Sequence, residues 1–311
     1  LDDPLGMIVR FGLYLDLMIL FGAPLFGIYS PQPADHRRAA LHTLRALYAG
    51  AALVGLLLSA LALAALTASM SGVPLLEVDW SAAAMLVRET SIGWAWLVRI
   101  AALGLFIIVV ALSHPMRGPS AGLLTLLGGV ALATLAWTGH GAMDEGLTGI
   151  VHVSADIFHL LAAGAWIAAI FALGTLLVRA HRSMSRDQAE YLHRALARFA
   201  AVGSIAVALL IVTGLVNSWV LVGLSGLATI GTNLYLQLLA IKLLLFIGML
   251  ALAALNRFRI TPALEEALRR GDQTQALRRL RKSLVVEASL GVAILGLVAW
   301  LGMLMPPSAV G

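Results

Sequence analysis

The sequence predicts an all-α, polytopic integral membrane protein: a bundle of eight transmembrane helices with both termini on the same side, facing away from the cytoplasm. Three observations carry this. The first is composition: 60% of the 311 residues are hydrophobic and 12% charged, with a mean hydropathy of +0.94, whereas a soluble domain carries about a quarter charged residues. The second is that the apolar runs are long and continuous. A membrane-spanning barrel would show alternating segments of ~10 residues, and only helices or closed barrels satisfy every backbone polar group in lipid. The third is the placement of the basic residues.

Crossing a hydrocarbon core takes ~20 residues, and eight stretches are long enough. They are Leu5–Ile28, Leu47–Ala68, Trp94–Leu112, Gly122–Trp137, Val153–Val178, Phe199–Val222, Leu234–Leu255 and Leu284–Leu304. The first has no charged n-region or small-residue cleavage site ahead of it and reads as a span, not a signal peptide. The fourth is the shortest. An even number of crossings returns the chain to the side on which it starts. The connections after spans 1, 3, 5 and 7 hold 17 of the 21 Lys and Arg residues, which places these loops in the cytoplasm by the positive-inside rule. The remaining four are Arg10, Arg88, Arg99 and Lys242. The net charge of +5 is thereby a matter of topology and implies no nucleic-acid partner.

Two connections are longer than turns. Thr261–Lys282 is basic, opens with Thr-Pro and carries Leu264, Leu268, Leu277 and Leu280, the pattern of a helical hairpin resting on anionic headgroups. Asp79–Glu89, with Trp80 and Met85 and followed by Trp94 and Trp96, reads as a short interfacial helix with tryptophan at headgroup level. There is no internal repeat, and the whole chain reads as one transmembrane domain.

Cysteine is absent, which excludes disulfides and thiolate metal sites. Polar groups inside the spans are therefore the functional candidates, since an ionisable side chain in lipid needs a partner or a role. The densest group lies where span 4 ends and span 5 begins: His140, Met143, His152, Asp156 and His159. The spacing i, i+4, i+7 in span 5 puts Asp156 about 40° and His159 about 20° from His152, so the three share one helix face. His159 lies ~10 Å along the axis from His152. Imidazole suits copper and zinc, thioether selects Cu(I), and a neighbouring carboxylate fixes a histidine tautomer. Metal or proton handling is one reading of this group; a hydrogen-bonded trio gluing helices is the other. His152 and His159 are too far apart for an i, i+4 chelate, so they are successive stations or need a third helix.

Further polar candidates are Asp16 near the middle of span 1, Lys242 in span 7 and Asn217 in span 6. Asp16 and Lys242 form either an ion pair or parts of a transport path. Asn217 reads as interhelical hydrogen bonding. Glu287 and Asn256 sit close to the basic loop, where pairing with Arg is the default. Met7, Met70, Met303 and Met305 fall near the outer helix ends. His36, His42, His181 and His193 keep company with arginine in the inner loops, and His114 is a weaker exit ligand.

The chain resembles the CopD copper-resistance family of bacterial inner-membrane proteins over essentially its full length. The resemblance rests on the Asp3-Pro4-Leu5 opening, Thr138-Gly139-His140-Gly141, the run from Ala155-Asp156 through His159 to Trp166, and Arg198-Phe199. It continues through Thr213 to Asn217, Leu239 to Leu243 around Lys242, Leu255-Asn256-Arg257, Leu277 to Leu284 with Glu287, and Met305-Pro306-Pro307. About Ala195–Leu304 is its most characteristic part. One departure is Ile-Ala-Ala-Ile after Trp166, where the family shows Leu-Gly-Gly-Leu; it puts close backbone packing in doubt there. The resemblance implies a copper ion as cargo, a periplasmic copper-binding partner of the CopC type, an inner-membrane location with periplasmic termini, and His140, His159 and Asp156 as the matches to the family's His-bearing motifs.

The expected function is a copper-ion permease and not an enzyme. This chain has no Gly-x-x-x-x-Gly-Lys-Ser/Thr loop to bind nucleotide, so ATP does not drive it directly. Two alternatives remain. A b-type haem cytochrome would need two histidines at matched depth on facing helices, and a copper-binding receptor would not transport.

Overall fold

The computed structural model describes residues 3–30, 34–113, 118–139, 146–179, 186–226, 231–272 and 274–309. Ten α-helices follow one another among these residues: α1 Pro4–Tyr29, α2 Ala34–Ser71, α3 Trp80–Glu89, α4 Ser91–Leu112, α5 Pro119–Ala133, α6 Gly146–Arg179, α7 Arg186–Gly226, α8 Leu234–Leu255, α9 Thr261–Arg270 and α10 Thr274–Leu301. Among the described residues, eight stretches are long and apolar enough to span a membrane, and they coincide with the eight expected from the sequence. The fourth, Pro119–Thr138, is again the shortest. It reaches its length by tightening from α5 into a 3₁₀ segment, Thr134–Thr138.

Local chemistry sets the ends. Asp3 caps α1 by accepting from the Gly6 amide at 2.8 Å, with proline at the first position. The short helix expected over Asp79–Glu89 forms as α3, capped by Asp79 through the Ser81 amide and hydroxyl. These bonds hold the Asp79 carboxyl below the usual carboxylate range, so the cap persists at neutral pH and is lost only as pH falls below that range.

The bundle is organised around α1, which packs on α2, α5, α6 and α10. Leu13, Leu17 and Leu20 are buried against Leu103 and Phe106 of α4, Leu132 of α5, and Trp166 and Ile170 of α6. Outward faces stay apolar, as lipid requires: on α8, Leu244 is 68% and Ile247 60% exposed. Arg10 ties the start of α1 to the end of α10 by donating to the Gly302 carbonyl at 2.8 Å. Both termini therefore share one end of the bundle, called here the terminal end. At the opposite, basic end, arginines reach backbone carbonyls of neighbouring helices. Arg45 of α2 donates to the Val110 and Ala111 carbonyls of α4. Arg198 of α7 donates to Tyr29 O of α1, and Arg257 to Ala200 O of α7.

Two expectations are corrected by packing. The basic connection does form a hairpin of α9 and the start of α10, but its leucines do not rest on headgroups. Leu264 and Leu280 are wholly buried and Leu268 is 8% exposed, in a second core with Leu173 and Leu177 of α6 and Leu192 and Leu196 of α7. An apolar face that protein can cover is covered; the arginines remain on the open side. The second correction concerns Ile167-Ala168-Ala169-Ile170. Close approach is retained there because the glycine is on the partner helix: a Cβ on Gly22 of α1 would strike Ala168 Cβ and the Gly164 carbonyl of α6.

Candidate functional site

Between α1, α6, α7, α8 and α10 lies a cavity of about 500 Å³. Its lining runs from Arg10, Gly139 and Gly302 at the terminal end to Trp166, Met249 and Gly291 deep in the bundle. From His152 to Ile167 along α6 this is ~22 Å at 1.5 Å per residue. Apart from a few polar groups the walls are hydrocarbon, the usual make-up of a small-ligand site.

The shared face expected for α6 is present, since His152, Asp156 and His159 all line this cavity. His152 is 1% exposed. Asp156 Oδ1 accepts from Asn217 Nδ2 of α7 at 2.5 Å, so Asn217 makes the interhelical bond expected of it and also lines the cavity. His159 Nδ1 lies 2.9 Å from Thr213 Oγ1, and the Thr213 hydroxyl donates its one proton to Leu209 O at 2.6 Å. The hydroxyl must then accept from His159, which fixes the proton on Nδ1 and leaves Nε2 with a lone pair. That is the ligand form of histidine, held by a neighbour on another helix.

Lys242 also lines the cavity, and its titratable neighbours there are Asp156 and His159. Asp16 is elsewhere. Its Oδ2 faces α2, 2.6 Å from where a Cβ on Gly55 would sit, close to Leu103 of α4, and it is not among the cavity residues. The Asp16–Lys242 pair is therefore not formed: the two side chains leave α1 and α8 toward different neighbours. In a double-mutant cycle, Asp16→Asn and Lys242→Met are expected to be additive within about 0.5 kcal/mol, as for independent sites. Asp156→Asn and Lys242→Met should couple more strongly. Thermal unfolding of the four detergent-solubilised proteins reads the difference.

Sequence reasoning noted Met18 only as a neighbour of Asp16 and missed Met249 in the lower part of the site. Met18 of α1 and Met249 of α8 are 2% and 4% exposed, and both line the cavity. Met18 lies against Gly164, and Met249 against Gly291, which itself abuts Ile167. The two thioethers thus sit within a turn of each other along α6, near Gly164 and Ile167, ~7 and ~12 Å below His159. Below them, Glu287 accepts from Trp166 Nε1 at 3.0 Å and Asn256 Nδ2 at 2.9 Å. This corrects the expectation that Glu287 and Asn256 pair with arginine. Arg257 turns instead to Ala200 O and Ser204 Oγ, and Asn256 is drawn inward by the π-turn Asn256–Ile260. Another buried polar group, Arg99, is 2% exposed and donates to Thr134 Oγ1 at 2.8 Å, holding the 3₁₀ segment.

His140 and Met143 lie outside the described residues. Among the described residues, no three His, Cys, Asp or Glu side chains converge in the manner of a metal site. Only α6 brings histidine to the cavity among the described residues, so no facing pair of histidines is formed there. Met70 and Met305 are 70% and 77% exposed.

Eight stretches among the described residues long and apolar enough to span a membrane, five of them around a largely apolar, histidine-bearing cavity, define a multi-pass membrane protein with a cavity inside the bundle. The comparisons narrow the class. Residues 1–150 match the profile of the copper resistance protein D-like N-terminal domain, and residues 193–301 that of copper resistance protein D. The chain is 43% identical over 319 aligned residues to copper resistance protein D of Pseudomonas syringae pv. tomato, covering 100% of both. It is 28% identical over 298 residues to inner membrane protein YebZ of Escherichia coli strain K12, covering 96% of the chain and 97% of the relative. No solved structure matches it. The chain belongs to the copper resistance protein D family. Helix α6, which carries His152, Asp156 and His159, lies almost entirely between the two matched stretches.

Proposed function

We propose that the protein is an inner-membrane copper permease, and that copper enters the cavity from the terminal end and passes His152 and His159 toward Met18 and Met249. The observation that carries this reading is His159: its ring is oriented by Thr213 so that an unprotonated nitrogen is kept available in a membrane-embedded cavity. Family membership supplies the ion. In this reading the terminal end is periplasmic, in keeping with the basic residues at the other end. His140 and Met143, in the connection between the 3₁₀ segment and α6, belong to the entrance. A periplasmic copper carrier of the CopC type would deliver there.

The wall chemistry favours Cu(I). Asp156 is the only carboxylate among the described lining residues, and Lys242 and Asn217 already face it. The cavity is therefore not an anionic trap. It offers neutral nitrogen and sulfur lone pairs, the donors that suit a soft monovalent ion. Movement is driven by a gradient or a partner, since this chain has no nucleotide loop.

Two measurements test the reading. Proteoliposomes containing wild-type protein should accumulate copper under reducing conditions, and the His152→Ala/His159→Ala protein should not; equal uptake by both overturns the assignment. The purified protein should show no Soret band. A haem spectrum would replace the permease by a membrane cytochrome.

A further inference from the structure

Glu287 is 2% exposed, and both of its carboxylate oxygens accept a hydrogen bond, from Trp166 of α6 and from Asn256 beyond α8. Both donors are neutral. Around it are two more buried polar atoms that have no hydrogen-bond partner among the described residues. Asn256 Oδ1 is one, on a side chain 9% exposed; Ser283 Oγ is the other, one turn before Glu287 on the same helix and 7% exposed. Buried polar atoms are rarely left unpaired, and such a pair beside a carboxylate calls for an explanation.

The arrangement suits two protonation states. With Glu287 ionised, the indole N–H and the carboxamide N–H serve its two oxygens, as found. With Glu287 protonated, a half-turn of the Asn256 carboxamide presents Oδ1 to the new Oε2–H. The Trp166 bond to Oε1 is kept, and the Ser283 hydroxyl remains available on the side of the basic end. One carboxamide rotation exchanges a donor for an acceptor, so neither state is stranded.

Among the described residues, no charged group fixes the carboxyl in one form. From α6 it meets Trp166, and from the π-turn Asn256, whose neighbour Arg257 is engaged with Ala200 O and Ser204 Oγ. Lys242 lies ~21 Å away along α8. On α9, Glu266 is held by Arg269 and Arg270, and Glu265 faces His193. On α1, Asp16 faces α2, Arg10 is bonded to Gly302 O near the far end of α10, and Tyr29 packs on Phe26. The location also has direction. Trp166 and Gly291 line the cavity floor, and Glu287 hangs beneath them, between the cavity and the basic end.

We propose that Glu287, with Asn256 and Ser283, is a proton-binding site that takes up and releases one proton (carboxylate plus H⁺ to carboxylic acid) between the cavity and the basic end, making the proton the ion coupled to transport. The coupling rests on the copper reading; the proton site does not. Infrared difference spectra of the purified full-length protein should show a protonated-carboxyl C=O band growing as pH falls, and E287Q, whose Oε1 still accepts from Trp166 and whose Nε2 donates to a rotated Asn256 Oδ1, should lack it. If E287Q retains every titrating band, the proton site is wrong. Should E287Q fail to fold, N256A decides the matter: loss of the acceptor shifts the band, and an unshifted band overturns the proposal. In proteoliposomes, an imposed pH gradient should change copper uptake several-fold in wild type and not in E287Q. Uptake that ignores the gradient in both overturns the coupling and leaves the permease standing. Absence of any copper uptake with a Glu287 band present overturns the permease and supports the proton site.

Discussion

His159→Ala protein is expected to lose high-affinity Cu(I) binding, and Thr213→Val to weaken it about 10–100-fold, the usual cost of removing a group that orients a metal-bound histidine. The two variants separate ligand from orienter. Valine is nearly isosteric with threonine but cannot accept from Nδ1–H, so the His159 proton is free to move to Nε2 and block the lone pair. The fold should survive, because the Thr213 hydroxyl otherwise bonds only its own helix, at Leu209 O. Competition against a Cu(I) chelator measures both affinities. Thr213→Ser should restore most of the loss, since it returns the hydroxyl. If Thr213→Val binds as wild type does while His159→Ala does not, the tautomer is set by something other than the threonine.

Gly22→Ala and Gly128→Ala are expected to be among the most damaging of the small substitutions. A Cβ on Gly22 would lie 2.5 Å from Gly164 O, and one on Gly128 would lie 2.6 Å from Leu20 O. Both obstacles are backbone, which cannot swing aside as a side chain can. Relief requires α1 to move off α6 or α5, and overpacking of this kind costs about 1–3 kcal/mol. Displacing α1 also shifts Met18 and Tyr14 in the cavity wall. Gly104→Ala, Gly122→Ala and Gly174→Ala provide the control, because a Cβ at each meets nothing within 4 Å. They should be neutral or slightly stabilising, since alanine is the better helix former. Thermal unfolding monitored by size-exclusion chromatography in detergent tests the whole set, and equal midpoints across both groups would show that the crossings are looser than described.

The eight spans were legible because lipid imposes one rule on every crossing: a long apolar run with its backbone satisfied internally. The shared face of His152, Asp156 and His159 was legible for a similar reason, as helical geometry is fixed by the chain itself. What was hidden depends on which helices touch. The Asp16–Lys242 pairing could not be judged from two charges at similar depth, because their directions are set by the packing of α1 on α2 and α4. Glu287 and Asn256 stood beside arginines in the sequence, yet a π-turn carries Asn256 inward and the arginines outward. Thr213 is an ordinary residue in an apolar helix until His159 is seen beside it. Met18 and Met249 look like apolar filler unless the cavity between their helices is known.

The arginines at the basic end have a consequence that counting charge hides. Membrane insertion responds to positive charge in short loops and is nearly indifferent to whether lysine or arginine supplies it. The folded protein is not indifferent. Arg45 grips two successive carbonyls of α4, and Arg198 and Arg257 each reach a carbonyl of another helix, a task for a planar fork of donors that a single ammonium performs less well. The same residues thus serve two readers at two times: the insertion machinery takes from them a sign, and the finished bundle takes a shape. Arg-to-Lys exchange at these positions would leave the chain threaded the right way and loosen the clasp, separating topology from stability in one substitution.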